Sequence, residues 1–224
     1  MRYLVIISAI LFIISQYTPA TAQDQVFESE DYKIRAVTVA GDLEHPWGLD
    51  FLPNGDMLVT ERPGALFLIR GDGIRQKVQG LPEIADYGQG GALDILVHPD
   101  FARNQTIFLS YAAGSLMGGY GTEVLRARLN GPRLTEVEVI FRAEPKIRLN
   151  RVHFGSRLLW GPDETLYITL GDRGERDMAQ DPSNHIGSLI RINPDGSIPG
   201  DNPFVDDPDK ADAIFTYGNR NIQG

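Results

Sequence analysis

The sequence predicts an all-β chain of the propeller type, and two observations carry that prediction. The first is a repeated unit of a glycine, an apolar strand, a proline-containing turn and a second strand. It runs from Gly48 through Pro53-Asn54-Gly55-Asp56 to Met57-Leu58-Val59-Thr60. It recurs from Gly91 through His98-Pro99-Asp100 to Ile107-Phe108-Leu109-Ser110, and from Gly155 through Gly161-Pro162-Asp163 to Leu166-Tyr167-Ile168-Thr169. With Gly224 as a fourth lead glycine, the intervals are 43, 64 and 69 residues. Repeats of roughly 40–50 residues holding several strands each mark propellers. The second observation is composition: 24 glycines and 14 prolines in 224 residues suit many short strands joined by turns. A two-sheet sandwich would share that composition, but its strands need not repeat in sequence. A propeller is a closed ring, so the expectation is about three blades and an N-terminal strand, a partial propeller.

Taken in order, residues 1–22 read as a secretory leader. Arg2 gives a positive start, residues 4–14 are apolar, and Ala20-Thr21-Ala22 fits the small-residue cleavage rule. The apolar core is shorter than the ~20 residues of a membrane span. Residues 23–224 form the propeller domain. Residues 23–33 are polar and acidic and read as a short mobile lead, and 34–39 as a strand rich in β-branched residues. Helical spacing is nearly absent afterwards. In 123–129, Leu125, Ala127 and Leu129 share one face and Val124, Arg126 and Arg128 the other, which is the period of a strand. Residues 188–192 alternate likewise. Asn130-Gly131-Pro132 and Pro194-Asp195-Gly196 are turns. Residues 171–187 and 194–212 are polar, turn-rich insertions, and such insertions tend to build the site of a propeller.

The chain has no cysteine, which excludes disulfides, thiol catalysis and Cys-ligated metals in it. A formal charge of −9 argues against nucleic acid or an anionic membrane as partner. No membrane span is expected once the leader is cleaved.

Three stations carry candidate chemistry. His153 sits two residues before the glycine that opens the third repeat. An imidazole there suits proton abstraction near neutral pH, or it is a hydrogen-bonded loop histidine. Arg220, with Asn221, holds the equivalent station one repeat later. Its guanidinium could stabilise a developing oxyanion, or form a salt bridge beside a turn. Gln89, one repeat earlier, is a polar contact for a hydroxyl-rich ligand or part of a glycine-rich turn. Equivalent stations in a ring converge on one point. His45 and His98 precede proline and read as turn residues, and His185 lies in a polar loop. Asp172, Glu175, Asp177 and Asp181 form an acidic cluster in an insertion, a Ca²⁺ loop or a solvated one.

These residues lie in runs that, as a set, resemble the glucose/sorbosone dehydrogenase family, closest to its soluble, periplasmic, pyrroloquinoline-quinone-dependent aldose sugar dehydrogenases. The runs are His45-Pro46-Trp47-Gly48-Leu49, Gly88-Gln89-Gly90-Gly91, His98-Pro99-Asp100-Phe101, His153-Phe154-Gly155-Ser156-Arg157-Leu158, Asp195-Gly196-Ser197-Ile198-Pro199 with Asp201-Asn202-Pro203-Phe204, and Gly218-Asn219-Arg220-Asn221. The resemblance implies a six-bladed propeller with the quinone on its top face. It makes His153 the base that takes the anomeric hydroxyl proton, with hydride passing to the quinone. It makes Arg220 a contact to the quinone oxygens, Asn221 a cofactor contact, and Gln89 a contact to substrate or quinone. Val152 stands where glucose-specific members carry a carboxylate, which favours the broader aldose branch or leaves substrate choice open. The family's remaining blades supply the calcium ligands, so the resemblance implies that this chain alone does not turn over sugar. The physiological sugar and the electron acceptor are not legible. A non-catalytic recognition module of the same family is the alternative. A lactonase-type hydrolase would need metal-binding carboxylates that are not recognisable here.

The leader predicts an exported protein beginning at Gln23. N-terminal sequencing of secreted material should read Gln23-Asp24-Gln25; a mature chain retaining Met1 would contradict it.

Overall fold

The computed structural model describes residues 25–224, so the predicted leader lies outside the described residues. The chain divides into two compact units at Gly41. In the first, strands β1 (Gln25–Glu28) and β2 (Lys33–Ala36) pair antiparallel, with Phe27 opposite Ile34. This corrects the reading of 23–33 as a lead without structure. Val26 and Phe27 have β propensity, and the intervening turn is closed by Ser29 Oγ donating to Tyr32 O at 2.9 Å. The strand expected over 34–39 is shorter, ending at Ala36.

The second unit is built from three four-stranded antiparallel sheets, each a meander in chain order. The first holds β3 (Pro46–Phe51), β4 (Met57–Glu61), β5 (Ala65–Ile69) and β6 (Arg75–Lys77). The second holds β7 (Ala92–Val97), β8 (Thr106–Ser115), β9 (Gly119–Leu129) and β10 (Leu134–Arg142). The third holds β11 (Gly155–Trp160), β12 (Leu166–Leu170), β13 (Leu189–Ile192) and β14 (Ile214–Thr216). The first strands of successive sheets are neighbours, β3 against β7 and β7 against β11. These are propeller blades, with the repeated glycine unit forming the inner two strands of each. Among the described residues, helix is confined to a short α1 (Phe101–Asn104) and one 3-10 turn, Met178–Gln180. Among the described residues no helix is long and apolar enough to cross a membrane.

Period-two alternation puts both faces of the middle sheet to use. Leu109, Leu125, Ala127 and Leu129 pack with Leu58, Leu66 and Leu68 of the first sheet. Phe108 and Val124, one residue out of phase, pack with Leu158, Leu166, Ile168, Ile190 and Ile192 of the third.

The inner strands share one irregularity. Each has a register shift near its start: between Pro46 and Leu49, between Ala92 and Ile95, and between Gly155 and Leu158. The bulge leaves a backbone N–H without a ladder partner, and a hydroxyl on the second strand accepts it. Gly48 N–H donates to Thr60 Oγ1 at 2.8 Å, Asp94 N–H to Ser110 Oγ at 2.9 Å, and Arg157 N–H to Thr169 Oγ1 at 2.8 Å. Each hydroxyl then donates onward to a backbone carbonyl of the following inner segment. Thr60 reaches Leu93 O, Ser110 reaches Ser156 O at 2.6 Å, and Thr169 reaches Ile222 O at 3.0 Å. The same spacing explains Gly48. A Cβ there would sit 2.8 Å from both Leu93 O and Asp94 Oδ1, inside van der Waals contact.

Asp94, buried in β7, adds a second tie. Its two oxygens accept from Arg157 Nη1 and Leu158 N–H, both at 2.8 Å. Burial pushes its carboxyl above the ordinary range, and the Leu158 and Arg157 bonds pull the other way. The Arg157 guanidinium lies 4.9 Å from the centre of the Trp47 ring and donates from Nε to Gln223 O at 3.1 Å.

Ser110→Ala removes a buried hydroxyl and strands two backbone groups, Asp94 N–H and Ser156 O. It should lower unfolding stability by about 1–3 kcal/mol, read from urea denaturation midpoints. A loss under about 0.3 kcal/mol would show that water replaces the hydroxyl.

Candidate functional site

His153 lies in the loop from β10 to β11, in the left-handed backbone region at φ +56°. A β-carbon there costs about 1 kcal/mol, so the surroundings must hold it. They do so at three points. Gln89 Oε1 accepts the His153 N–H at 2.7 Å, and Gln89 N–H donates to Arg151 O at 2.8 Å. The His153 imidazole Nδ1 meets Asp172 Oδ1 at 2.6 Å. The loop also approaches β12 so closely that a side chain at Gly171 would clash with His153 O.

The pairing with Asp172 fixes the chemistry of the ring. A carboxylate accepts, so Nδ1 is the donor, and in the neutral ring the lone pair then lies on Nε2. The Asp172 side chain is 4% exposed and that of His153 15% exposed. Nε2 makes no hydrogen bond among the described residues. Asp172 is itself held: Oδ1 also accepts Gly174 N–H at 2.7 Å, and its own N–H donates to Arg220 O at 2.7 Å. Asn221 bridges to Gly171, and its Oδ1 accepts Gly155 N–H at 3.0 Å.

Gln89 and His153 are thus linked directly, Arg220 joins them by its backbone carbonyl on Asp172, and Asn221 lies next to them on Gly155 and Gly171. Two of the predicted contacts look different in detail. Gln89 directs its carbonyl oxygen to the His153 backbone, which leaves its Nε2 for a ligand. Asn221 likewise directs its oxygen to Gly155, leaving its amide nitrogen.

The four acids do not converge on one point, although Asp172, Glu175 and Asp177 border one cleft. Asp172 turns inward to His153, and Asp181 Oδ1 accepts Ser183 N–H at 2.9 Å. Glu175 and Asp177 line an open cleft. Among the described residues no group of three or more His, Asp or Glu side chains converges as a metal site. The sequence reading missed Asp172 as the partner of His153. Extending the observed pairing of Gly155 with Leu170 by two residues sets His153 opposite Asp172, so hairpin register was the signal.

Beside this pair lies a cleft of about 710 Å³, bordered by Asp172, Arg176, Gln180, Asn219 and Arg220. That volume is within the range of small-molecule sites, roughly 300–1,000 Å³. The side chains of Arg176 and Arg220 form no hydrogen bond or ion pair among the described residues. Asn219 Nδ2 is buried there without a hydrogen-bond partner. The cleft thus brings two guanidinium groups, Arg176 and Arg220, beside three carboxylates, Asp172, Glu175 and Asp177, a mixed polar lining that suits an oxygen-rich ligand.

The glucose/sorbosone dehydrogenase family model matches residues 43–224. The chain belongs to that family. It is 40% identical over 186 residues to aldose sugar dehydrogenase YliI of Escherichia coli strain K12, covering 81% of this chain and 50% of that protein. It is 28% identical over 237 residues to quinoprotein glucose dehydrogenase B of Acinetobacter calcoaceticus, covering 92% of this chain and 48% of that protein. The PQQ-bound form of aldose sugar dehydrogenase from Streptomyces coelicolor superposes with a TM-score of 0.72 at 28% identity, over 89% of this chain and 56% of that one. The chain spans about half the length of the curated relatives it matches.

The other histidines of the described residues serve the fold. His98 Nδ1 accepts Asp100 N–H at 2.9 Å, and its ring lies 4.5 Å from that of Trp160. His45 sits in the left-handed region at φ +48°, and its carbonyl accepts Arg62 N–H at 3.0 Å. His185 Nδ1 accepts Glu144 N–H at 3.0 Å. Burial holds the His185 imidazole below its ordinary pKa, against the pull of Asp212 and Glu144. The unfolded chain therefore takes up this proton at higher pH than the folded one. The contribution to stability is intact above the ordinary histidine value of about 6.5 and is lost as pH falls below it. Thermal midpoints should drop between about pH 7 and pH 5, and His185→Gln should flatten that slope. An equal slope in the variant would assign the drop to other groups.

Proposed function

We propose that this chain carries the base and part of the cofactor site of a pyrroloquinoline-quinone-dependent aldose sugar dehydrogenase, which oxidises the anomeric carbon to the lactone. The observation that carries the reading is the buried Asp172 carboxylate on His153 Nδ1, which leaves Nε2 as a free base beside an arginine-lined cleft. The names of the relatives support the substrate class and the quinone.

The residues present fit the quinone in part. It is a planar polycarboxylate, and Arg220 and Arg176 supply charge that such an anion needs, while Glu175 and Asp177 on the same cleft oppose it. Arg220 and Asn221 would hold it, and Gln89 Nε2 would contact substrate or cofactor edge. The quinone, when bound, accepts the hydride from the anomeric carbon.

His153 Nε2 takes the proton of the anomeric hydroxyl as that C–H bond breaks, and the C–O bond becomes the lactone carbonyl. The imidazolium that forms is stabilised by Asp172, which also keeps the ring in the tautomer that can accept. Arg220 offers fixed positive charge to oxygen that gains charge in the transition state. Val152 beside the base leaves no carboxylate to select one sugar, which fits a broad aldose range. Calcium, implied by the resemblance, is assigned no ligands among these residues. The leader read from the sequence supports a periplasmic or secreted location.

The test is aldose-dependent dye reduction with added quinone and Ca²⁺, in this chain and in a version extended to the length of its relatives. The reading expects turnover in the extended protein and none in this chain alone. There, His153→Gln should lower kcat by about 10²–10⁴-fold with quinone binding little changed. Unchanged turnover would remove His153 from the role of base.

A further inference from the structure

Arg173 follows Asp172 directly and points the other way. It is 3% exposed, and it makes no ion pair among the described residues. A buried guanidinium without a carboxylate is uncommon, because desolvation must be offset by hydrogen bonds alone. Burial indeed lowers its pKa to about 10, with the Tyr87 phenol pulling weakly the other way.

Its donors have specific destinations. Nε donates to Val152 O at 2.9 Å, Nη2 to Asn150 O at 2.8 Å, and Nη1 to Tyr120 O at the start of β9. The guanidinium carbon lies over the Phe154 ring, 3.6 Å from its centre. Three consecutive carbonyls before His153 are thus held from outside the loop: Asn150 and Val152 by Arg173, and Arg151 by the Gln89 N–H. Arg173 grips Asn150 and Val152, two of the three residues that lead into a strained histidine, and ties them to the neighbouring sheet.

We propose that Arg173 is the positioning residue of the site. Its planar fork sets the backbone of 150–152 so that His153 holds φ +56° and its ring meets Asp172 with Nε2 free. Consecutive residues on one strand end thereby fix the histidine twice, Asp172 by the ring and Arg173 by the backbone. This rests on the reading of His153 as the base, but its test does not use turnover.

The test is imidazole NMR on this chain labelled with ¹⁵N-histidine, with the His153 Nδ1–H signal assigned by its absence in His153→Gln. In Arg173→Met, exchange of that proton with water should accelerate roughly tenfold or more, with far-UV circular dichroism unchanged. Arg173→Lys keeps the charge but cannot bridge the same carbonyls, and should fall between. Arg191→Met breaks another buried arginine, held by Asp163 and Asp201 in the same sheet, and should leave the His153 signal within about twofold. Exchange within about twofold of the native rate in a folded Arg173→Met would overturn the proposal. So would an equal effect of Arg191→Met. If Arg173→Met does not fold, Arg173→Lys decides by the same comparison. Loss of fold in both would also overturn it, because Arg173 would then hold the sheets rather than the histidine. Failure of the base reading would appear instead as unchanged turnover in His153→Gln, with the NMR result intact.

Discussion

A hydroxyl at the bulge of each inner strand is the interaction on which the arrangement depends. Thr60, Ser110 and Thr169 each accept the one N–H that the bulge removes from the ladder and pass their own proton to the next inner segment. Without the hydroxyl, the bulge would leave a buried donor unpaired on one side of the seam and a carbonyl on the other. The bulge is also what lets successive inner strands approach closely enough for Gly48 to face Leu93. Apolar packing between sheets supplies bulk stabilisation but is non-directional, and it does not choose a register.

The site stands on those seams. Thr169 holds Ile222, one residue from Asn221, and Arg157 holds Gln223 while lying on Trp47 and pairing with Asp94. The segment carrying Arg220 and Asn221 is therefore registered by the third sheet. His153 reaches the same place from the other side of that sheet, through the loop that enters β11. Its distance to Asp172 follows from antiparallel register across β11 and β12, and its backbone geometry from Gln89 and Arg173. A strained residue in a loop is affordable to the fold only because rigid elements on both flanks specify it.

The sequence made the strands legible because their signals are local: glycine, alternation, and proline-bearing turns. The repeat of Gly48, Gly91 and Gly155 marked the inner strand of each blade, and the fourth residue of each second strand was already the hydroxyl of the seam. The stations of Gln89, His153 and Arg220 were legible for the same reason, since repetition turns phase into position. What was not legible depends on side-chain direction across a turn. Asp172 read as one acid among four because nothing local distinguishes an inward carboxylate from a solvated one. Arg173 gave no signal, because a buried arginine that serves only carbonyls leaves no charged partner in the sequence. The β1–β2 pairing was missed because the polar residues around Val26 and Phe27 outweighed a short run of strand formers.

The direction of the seams has an architectural consequence. Every staple donates forward, from one blade to the following one, so each blade is indexed by its predecessor alone. What lies beyond the second strand of a blade does not enter that indexing. Apart from Asp172 and Arg173, which hold His153, and Asp201 and Asn202, which hold Arg191, the excursions over 171–187 and 194–212 can change while the phase of the inner strands is kept. Such a plan separates two kinds of variation. The excursions can vary away from those contacts, while the register of the inner strands rests on three small hydroxyls.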